Sequence, residues 1–245
     1  MAWVHWDGKR AVVRRVLCGA DDEAVLGALA EADKAGIDCP LGWPDAFVAF
    51  IAEHQRGAVT LPDGFPGRGW KRPLTMRLTD LVTWRETGLR PLSVSADLIG
   101  HVALRCACLL ADSARRGLVI DRSGGGKIAE VYPAASLKVW GLLHTGYKRR
   151  GDRQPLGALV DDLATRTAPW LELGDAAPAC RERHDAFDAV IAALAARAAA
   201  LGLARRPETP EEIAAARTEG WIAFPLDEAT LSQLPCPTSA TYEHP

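Results

Sequence analysis

The 245-residue chain has no long apolar run free of charge. Its most apolar long stretch, Val190 to Leu203, carries Arg197 and is too short and Ala-rich to read as a bilayer span. The opening residues, Met1-Ala2-Trp3-Val4-His5-Trp6-Asp7, lack a basic segment followed by an apolar one. No secretory leader and no membrane partner are therefore expected, and the protein reads as cytoplasmic. There is no CxxC. The six cysteines (Cys18, Cys39, Cys106, Cys108, Cys180 and Cys236) are scattered. Cys106 and Cys108 stand two apart on a predicted helix, where side chains point away from each other, so free thiols are expected, without disulfide framework or zinc site.

Charge of one sign is also missing. The chain holds 29 Lys and Arg against 31 Asp and Glu, a net charge of -2. A protein that coats nucleic acid indiscriminately would be more basic, so any such contact must come from a local patch. The best one in the sequence is Tyr147-Lys148-Arg149-Arg150-Gly151-Asp152-Arg153, which also reads as a solvated loop. A phosphate loop is excluded as well. Gly124-Gly125-Gly126-Lys127 is followed by Ile128, and Asp121 stands where the first glycine of that motif belongs. A phosphotransfer enzyme therefore ranks last among the functions weighed. No internal repeat is visible.

What is present is an ordinary globular composition, 48% hydrophobic and 24% charged. Trp3–Trp6 and Ala11–Leu17 flank Asp7-Gly8, a hairpin signature. Asp21-Asp22-Glu23 opens a helix. Ile37 to Gly42 reads as a buried strand running into a Pro/Gly loop. Helices are expected over 45–56, 75–84, 95–114, 134–143, 155–166 and 181–203, and short strands over 118–120 and 128–131. Strands first, then strands alternating with helices, predict an α/β fold. It would be one mixed sheet, antiparallel at first and then parallel, with helices on both faces. One domain over 1–245 is expected, with 57–96 as an inserted lobe.

Three places put carboxylates where chemistry can use them. Asp38 interrupts a buried strand just before Pro40, at the end where ligands collect in open α/β sheets; it could equally cap its own loop. Glu130 repeats the pattern in Lys127-Ile128-Ala129-Glu130-Val131-Tyr132-Pro133, or is a solvent-facing edge acid. Asp185 and Asp188 stand about 60° apart on a helical wheel, sharing a face away from the apolar stripe. That pair also fits a solvated acidic first turn. Carboxylates brought together need a cation. Oxygen-only ligation favours magnesium or manganese, and two such ions about 4 Å apart can activate water against a phosphodiester.

The chain resembles domain-of-unknown-function family 429, regarded as predicted nucleases of ribonuclease H-like fold. The matching segments are Gly36-Ile37-Asp38-Cys39-Pro40-Leu41-Gly42-Trp43-Pro44, Arg77-Leu78-Thr79-Asp80, Pro91-Leu92-Ser93-Val94-Ser95-Ala96-Asp97, Glu130-Val131-Tyr132-Pro133-Ala134-Ala135, His184-Asp185-Ala186-Phe187-Asp188-Ala189 and Glu219-Gly220-Trp221-Ile222-Ala223-Phe224-Pro225. The resemblance implies a five-stranded sheet and a metal-dependent nuclease acting on DNA or RNA. Asp38, Glu130, Asp185 and Asp188 would be its catalytic and metal-binding acids. Arg77, Asp80 and Asp97 match polar positions that either line a substrate cleft or pair with one another; Lys148 and Arg149 would meet phosphates. One departure is marked. Members of that fold normally begin with a strand carrying a Gly-Val-Asp motif, whereas this chain begins at the hairpin that follows it. Asp7, in the turn, is a poor substitute. A truncated start is the expectation; otherwise the site is weakened and the protein is a non-catalytic module that binds nucleic acid or protein.

Overall fold

The structure is a computed structural model in which residues 1–67, 69–149 and 153–235 are described. Arg150, Gly151 and Asp152 of the basic stretch, and Cys236, lie outside the described residues. In chain order the elements are β1 (Ala2–Asp7), β2 (Arg10–Val16), α1 (Asp22–Glu31), β3 (Ala35–Ile37), α2 (Asp45–Gln55), α3 (Arg72–Thr75), α4 (Leu78–Thr87), α5 (Ile99–Arg115), β4 (Ile128–Glu130), α6 (Pro133–Val139), α7 (Gln154–Thr167), β5 (Leu171–Glu172), α8 (Ala177–Glu182), α9 (His184–Ala200), α10 (Pro210–Glu219) and α11 (Thr230–Gln233). The protein is a mixed α/β chain in which an antiparallel strand pair is followed by parallel pairings, with helices around them. Among the described residues no helix is long and apolar enough to cross a membrane.

The chain divides into two compact units. The first comprises Met1–Val25, Val131–Arg205 and the described residues from Phe224 on; the second comprises Leu26–Glu130 and Arg206–Ala223. Residues 57–96 belong to the second. The five strands fall into two sheets, ordered β1-β2-β5 and β3-β4.

In the first unit β1 and β2 form the expected hairpin, with Asp7 opposite Arg10 and Trp6 opposite Ala11. Gly8 takes the positive φ of 58° that the tight turn requires. β5 joins β2 in parallel at Ala11 and Val12. Helix α9 packs on β1 and β2 and is buried almost all round, because its many alanines let strands and neighbouring helices approach closely. The one apolar stripe expected there is therefore wrong: Asp188 lies on the buried surface with Phe187, Val190, Ile191 and Leu194. The single helix expected over 181–203 is two, because Arg183 takes an extended conformation (φ -134°, ψ 112°) between α8 and α9.

In the second unit β3 and β4 pair in parallel, with Ile37 opposite Glu130. Residues 118–120 are not a strand; Val119 is exposed and these residues pair with none of the described strands. The helix expected from Ser95 begins only at Ile99. Before it, the Asp97 carboxylate accepts the Ser93 N–H at 2.8 Å and the Ser93 hydroxyl accepts the Ala96 N–H at 3.1 Å. Such local bonds compete with helix formation. Helix α10 is absent from the expected elements, although Thr209-Pro210-Glu211-Glu212 is a capping box that the structure realises: the Thr209 hydroxyl accepts the Glu212 N–H at 3.1 Å. It packs on α4 through Val82, Ala216 and Trp221.

The core of the first unit is tested at Leu194, which is fully buried. Leu194→Ala should destabilise by about 2–5 kcal/mol, read as a lowered denaturation midpoint with an unchanged far-ultraviolet spectrum.

Candidate functional site

Arg77 is the last residue before α4, and Asp80 sits in that helix's first turn. Asp80 reaches back, accepting the Arg77 backbone N–H at 2.9 Å and its guanidinium at 2.8 and 3.2 Å. The same guanidinium grips Glu130 at the end of β4 bidentately, at 2.6 and 2.8 Å. It also donates to the Glu219 carbonyl at 3.0 Å. Glu130 accepts one further bond, from the Leu41 N–H at 2.9 Å. Arg77, Asp80 and Glu130 are only 1%, 0% and 2% exposed. Of the two readings of Arg77 and Asp80 the geometry gives pairing, and Glu130 is their third member.

Glu219 completes the cluster. Its carboxylate accepts the N–H of Asp45 at 2.9 Å and of Leu78 at 2.8 Å, the first residues of α2 and α4. One side chain thus satisfies donors at two helix N-termini, where a negative charge is also favoured. Two glycines permit the approach. A Cβ on Gly220, whose φ is +86°, would lie 2.9 Å from the Glu130 carboxylate, and one on Gly42 would lie 2.2 Å from the Thr218 carbonyl oxygen. Two carboxylates share the Arg77 guanidinium, and the electrostatics reflect that surplus. Burial opposes the Arg77 charge, but Glu130 and Asp80 outweigh it and raise its pKa. Burial likewise pushes Glu130 above the ordinary carboxylate range, against the pull of Arg77. Glu219 is raised too, chiefly by burial.

The first unit holds a different arrangement. Asp188, in α9, is 7% exposed. The Tyr147 hydroxyl donates to its Oδ1 at 2.8 Å, and the Lys148 ammonium lies 2.6 Å from its Oδ2. The Tyr147 ring packs edge-on against Phe187 at 6.3 Å, which fixes the hydroxyl. Lys148 is half exposed, and Arg149 beside it is exposed. Asp185 stands one turn earlier in the helix, exposed, with His184 Nδ1 at 3.0 Å from its Oδ1. Asp38 is exposed just beyond β3, and Asp97 belongs to the turn before α5. Asp38 and Glu130 thus lie in the second unit, Asp185 and Asp188 in the first. Sequence reasoning counts Tyr147 only as the aromatic beside the basic patch; its bond to Asp188, 41 residues away, carries no local signal.

Among the described residues no three His, Cys, Asp or Glu side chains are grouped to hold a metal ion. The donor chemistry separates the candidates further. Glu130 gives both oxygens to Arg77 and does not fit a divalent cation. Asp188 fits better: its Oδ2 faces a single half-exposed ammonium rather than a buried guanidinium fork, so that oxygen is the more open of the two sites to a cation.

The mixed α/β architecture is of the expected class, although the strands form a three-stranded and a two-stranded sheet where the resemblance implied one of five. The family described as "Protein of unknown function (DUF429)" matches residues 1–212. The chain belongs to that family. No curated protein and no solved structure matches it.

Removing Arg77 leaves two buried carboxylates without their cation. Arg77→Ala should cost about 3–5 kcal/mol, and Arg77→Lys should recover little of it, since an ammonium cannot reproduce the planar fork. Denaturant titration of both variants checks this. The raised pKa of Glu219 carries a second expectation. In the folded state it binds its proton more tightly than in the unfolded state, so its contribution to stability is fully present below the ordinary glutamate range and falls as pH rises through the interval between the two values. The melting temperature of the wild type relative to Glu219→Gln should therefore fall as pH rises above that range, followed by calorimetry across a pH series.

Proposed function

We propose that the protein is a nuclease of ribonuclease H-like fold that hydrolyses phosphodiester bonds of DNA or RNA with magnesium or manganese, acting from the first turn of α9. The supporting observation is Asp188: a nearly buried carboxylate oriented by Tyr147, with its second oxygen facing an exchangeable surface cation. Asp188 and Asp185 are the side chains of this unit that would hold the ion, with water completing the shell, as magnesium prefers. The bound ion would supply Lewis acidity for an attacking water and for the leaving oxygen. Tyr147 holds the Asp188 carboxylate in one orientation, and Lys148 and Arg149 offer charge to a phosphate. Asp38 stands as a separate candidate ligand in the second unit. A nucleic-acid substrate also suits the cytoplasmic setting expected from the sequence.

A second reading rests on Glu130. Its burial against Arg77 removes one acid from the expected catalytic set, which favours a module that keeps the fold and binds nucleic acid or protein without cleaving it.

Cleavage of single- and double-stranded DNA and RNA, assayed with magnesium or manganese, separates the two. The nuclease reading expects metal-dependent cleavage that falls to background in Asp188→Asn. Tyr147→Phe should weaken metal affinity by about 10–100-fold. No cleavage of any of the four substrates, with a melting temperature unmoved by either metal, would leave the binding module standing, because a ligand of the folded state alone must raise stability.

A further inference from the structure

The segment between α2 and the end of α4 in the second unit gathers rings and cations at the surface in a way that the buried cluster does not use. Trp70 lies 5.7 Å from Phe65 and 6.5 Å from Phe50, ring centre to ring centre. Lys71 stands over Trp70 at 5.5 Å. The next residue, Arg72, stands 5.9 Å from the ring of Trp84, and Arg90 stands 5.4 Å from that same ring. Consecutive residues 70 to 72 therefore join two aromatic centres into one strip. Phe65 and Trp84 are 50% and 40% exposed.

Two features set this strip apart from ordinary surface. Large rings are normally covered, because exposing them forgoes their burial. Two guanidiniums within about 6 Å of one indole add their positive potential there, which favours a nearby anion. Among the described residues no carboxylate pairs with Lys71, Arg72 or Arg90, whereas neighbouring Arg85 already pairs with Glu86 at 2.9 Å. Cations within about 6 Å of a ring and the ring's own face together match the two faces of a nucleotide, phosphate and base.

We propose that Phe65, Trp70, Lys71, Arg72, Trp84 and Arg90 form a binding strip for single-stranded nucleic acid. Its rings stack on unpaired bases and its cations meet the phosphates between them. A duplex hides the faces of its bases and an acidic peptide has no rings to stack, so the single strand is the ligand that uses both halves of the strip. The choice of nucleic acid rests on the proposed function. The binding itself does not require cleavage.

The test is fluorescence anisotropy of a labelled oligothymidylate with the full chain in EDTA, across a salt series. With metal removed, the result is independent of whether the protein cleaves anything. Trp84→Ala should weaken binding about tenfold, and Trp84→Phe, which keeps a ring, should restore most of it. The double variant Arg72→Gln/Arg90→Gln should lower the slope of log affinity against log salt by about 1.4, roughly 0.7 for each phosphate no longer neutralised. A duplex of equal length should bind more weakly. If Trp84→Ala lowers the melting temperature, the exposed arginine pair carries the test. Unchanged affinity in Trp84→Ala, an unchanged salt slope in the double variant, or equal binding of the duplex would overturn the proposal. Displacement by polyglutamate as effective as by unlabelled oligothymidylate would also overturn it and assign the strip to an acidic protein.

Discussion

The guanidinium of Arg77 holds together segments that are far apart in the sequence. It touches Asp80 in α4, Glu130 at the end of β4 and the carbonyl of Glu219 at the end of α10. Two of those partners position something else. Glu130 takes the Leu41 N–H and so sets the loop after β3, and Glu219 closes the N-termini of α2 and α4. The Glu130 backbone carbonyl accepts the Ala223 N–H at 2.8 Å, continuing the parallel pairing beyond the two-stranded sheet. A charge this deeply buried is tolerated only with several good partners. The reciprocal holds: once Arg77 is fixed, the chain after α10 has one place to run, and the Ile222 N–H finds the Thr79 hydroxyl at 2.8 Å. Arg77-Leu78-Thr79-Asp80 therefore acts as a connector in which the side chains of Arg77 and Thr79 and the backbone N–H of Leu78 each hold another segment, while Asp80 fixes the Arg77 guanidinium.

How much of this can be read in the sequence depends on distance along the chain. The hairpin at Asp7-Gly8 is a local signal and is legible. So are the long helices α2, α5 and α7, whose apolar spacing repeats over several turns. The capping box at Thr209–Glu212 is equally local, and it could have announced α10. The buried role of Glu130 is different. Its strand spells a carboxylate before a proline, and nothing nearby says whether that carboxylate meets a metal, a solvent face or an arginine 53 residues away. The pattern Arg77-x-x-Asp80 places both partners on one turn, but only the fold brings Glu130 to the same guanidinium. Periodicity also misplaces Asp188. In a helix built largely of alanine, neighbours approach from nearly every side, so a single apolar stripe no longer marks the buried face.

The acids picked out by one pattern thus separate by environment. Glu130 and Asp80 face a cation that is covalently part of the fold and cannot leave. Asp188 faces an ammonium on a flexible stem at the surface, and its other oxygen is held by a neutral hydroxyl. The first attraction acts between fully buried groups, whereas in the second the carboxylate is buried and the ammonium half exposed, so water reaches only one partner. A carboxylate of the first kind stabilises structure and is closed to ligands. One of the second kind is held in one orientation by a hydroxyl and reaches the surface only through its partner ammonium.

The near-neutral net charge follows the same logic. At physiological salt a surface charge is felt over roughly 8 Å, so what a polyanion meets is the local arrangement rather than the total of -2. Several of the chain's cations are neutralised at home: Arg77 in the core, Arg166 against Asp162 and Glu228, Arg116 against Asp112. Those left beside the indoles of Trp70 and Trp84 have no carboxylate ion-paired with them among the described residues. Around Trp84 the fold sets an exposed ring and two such cations side by side.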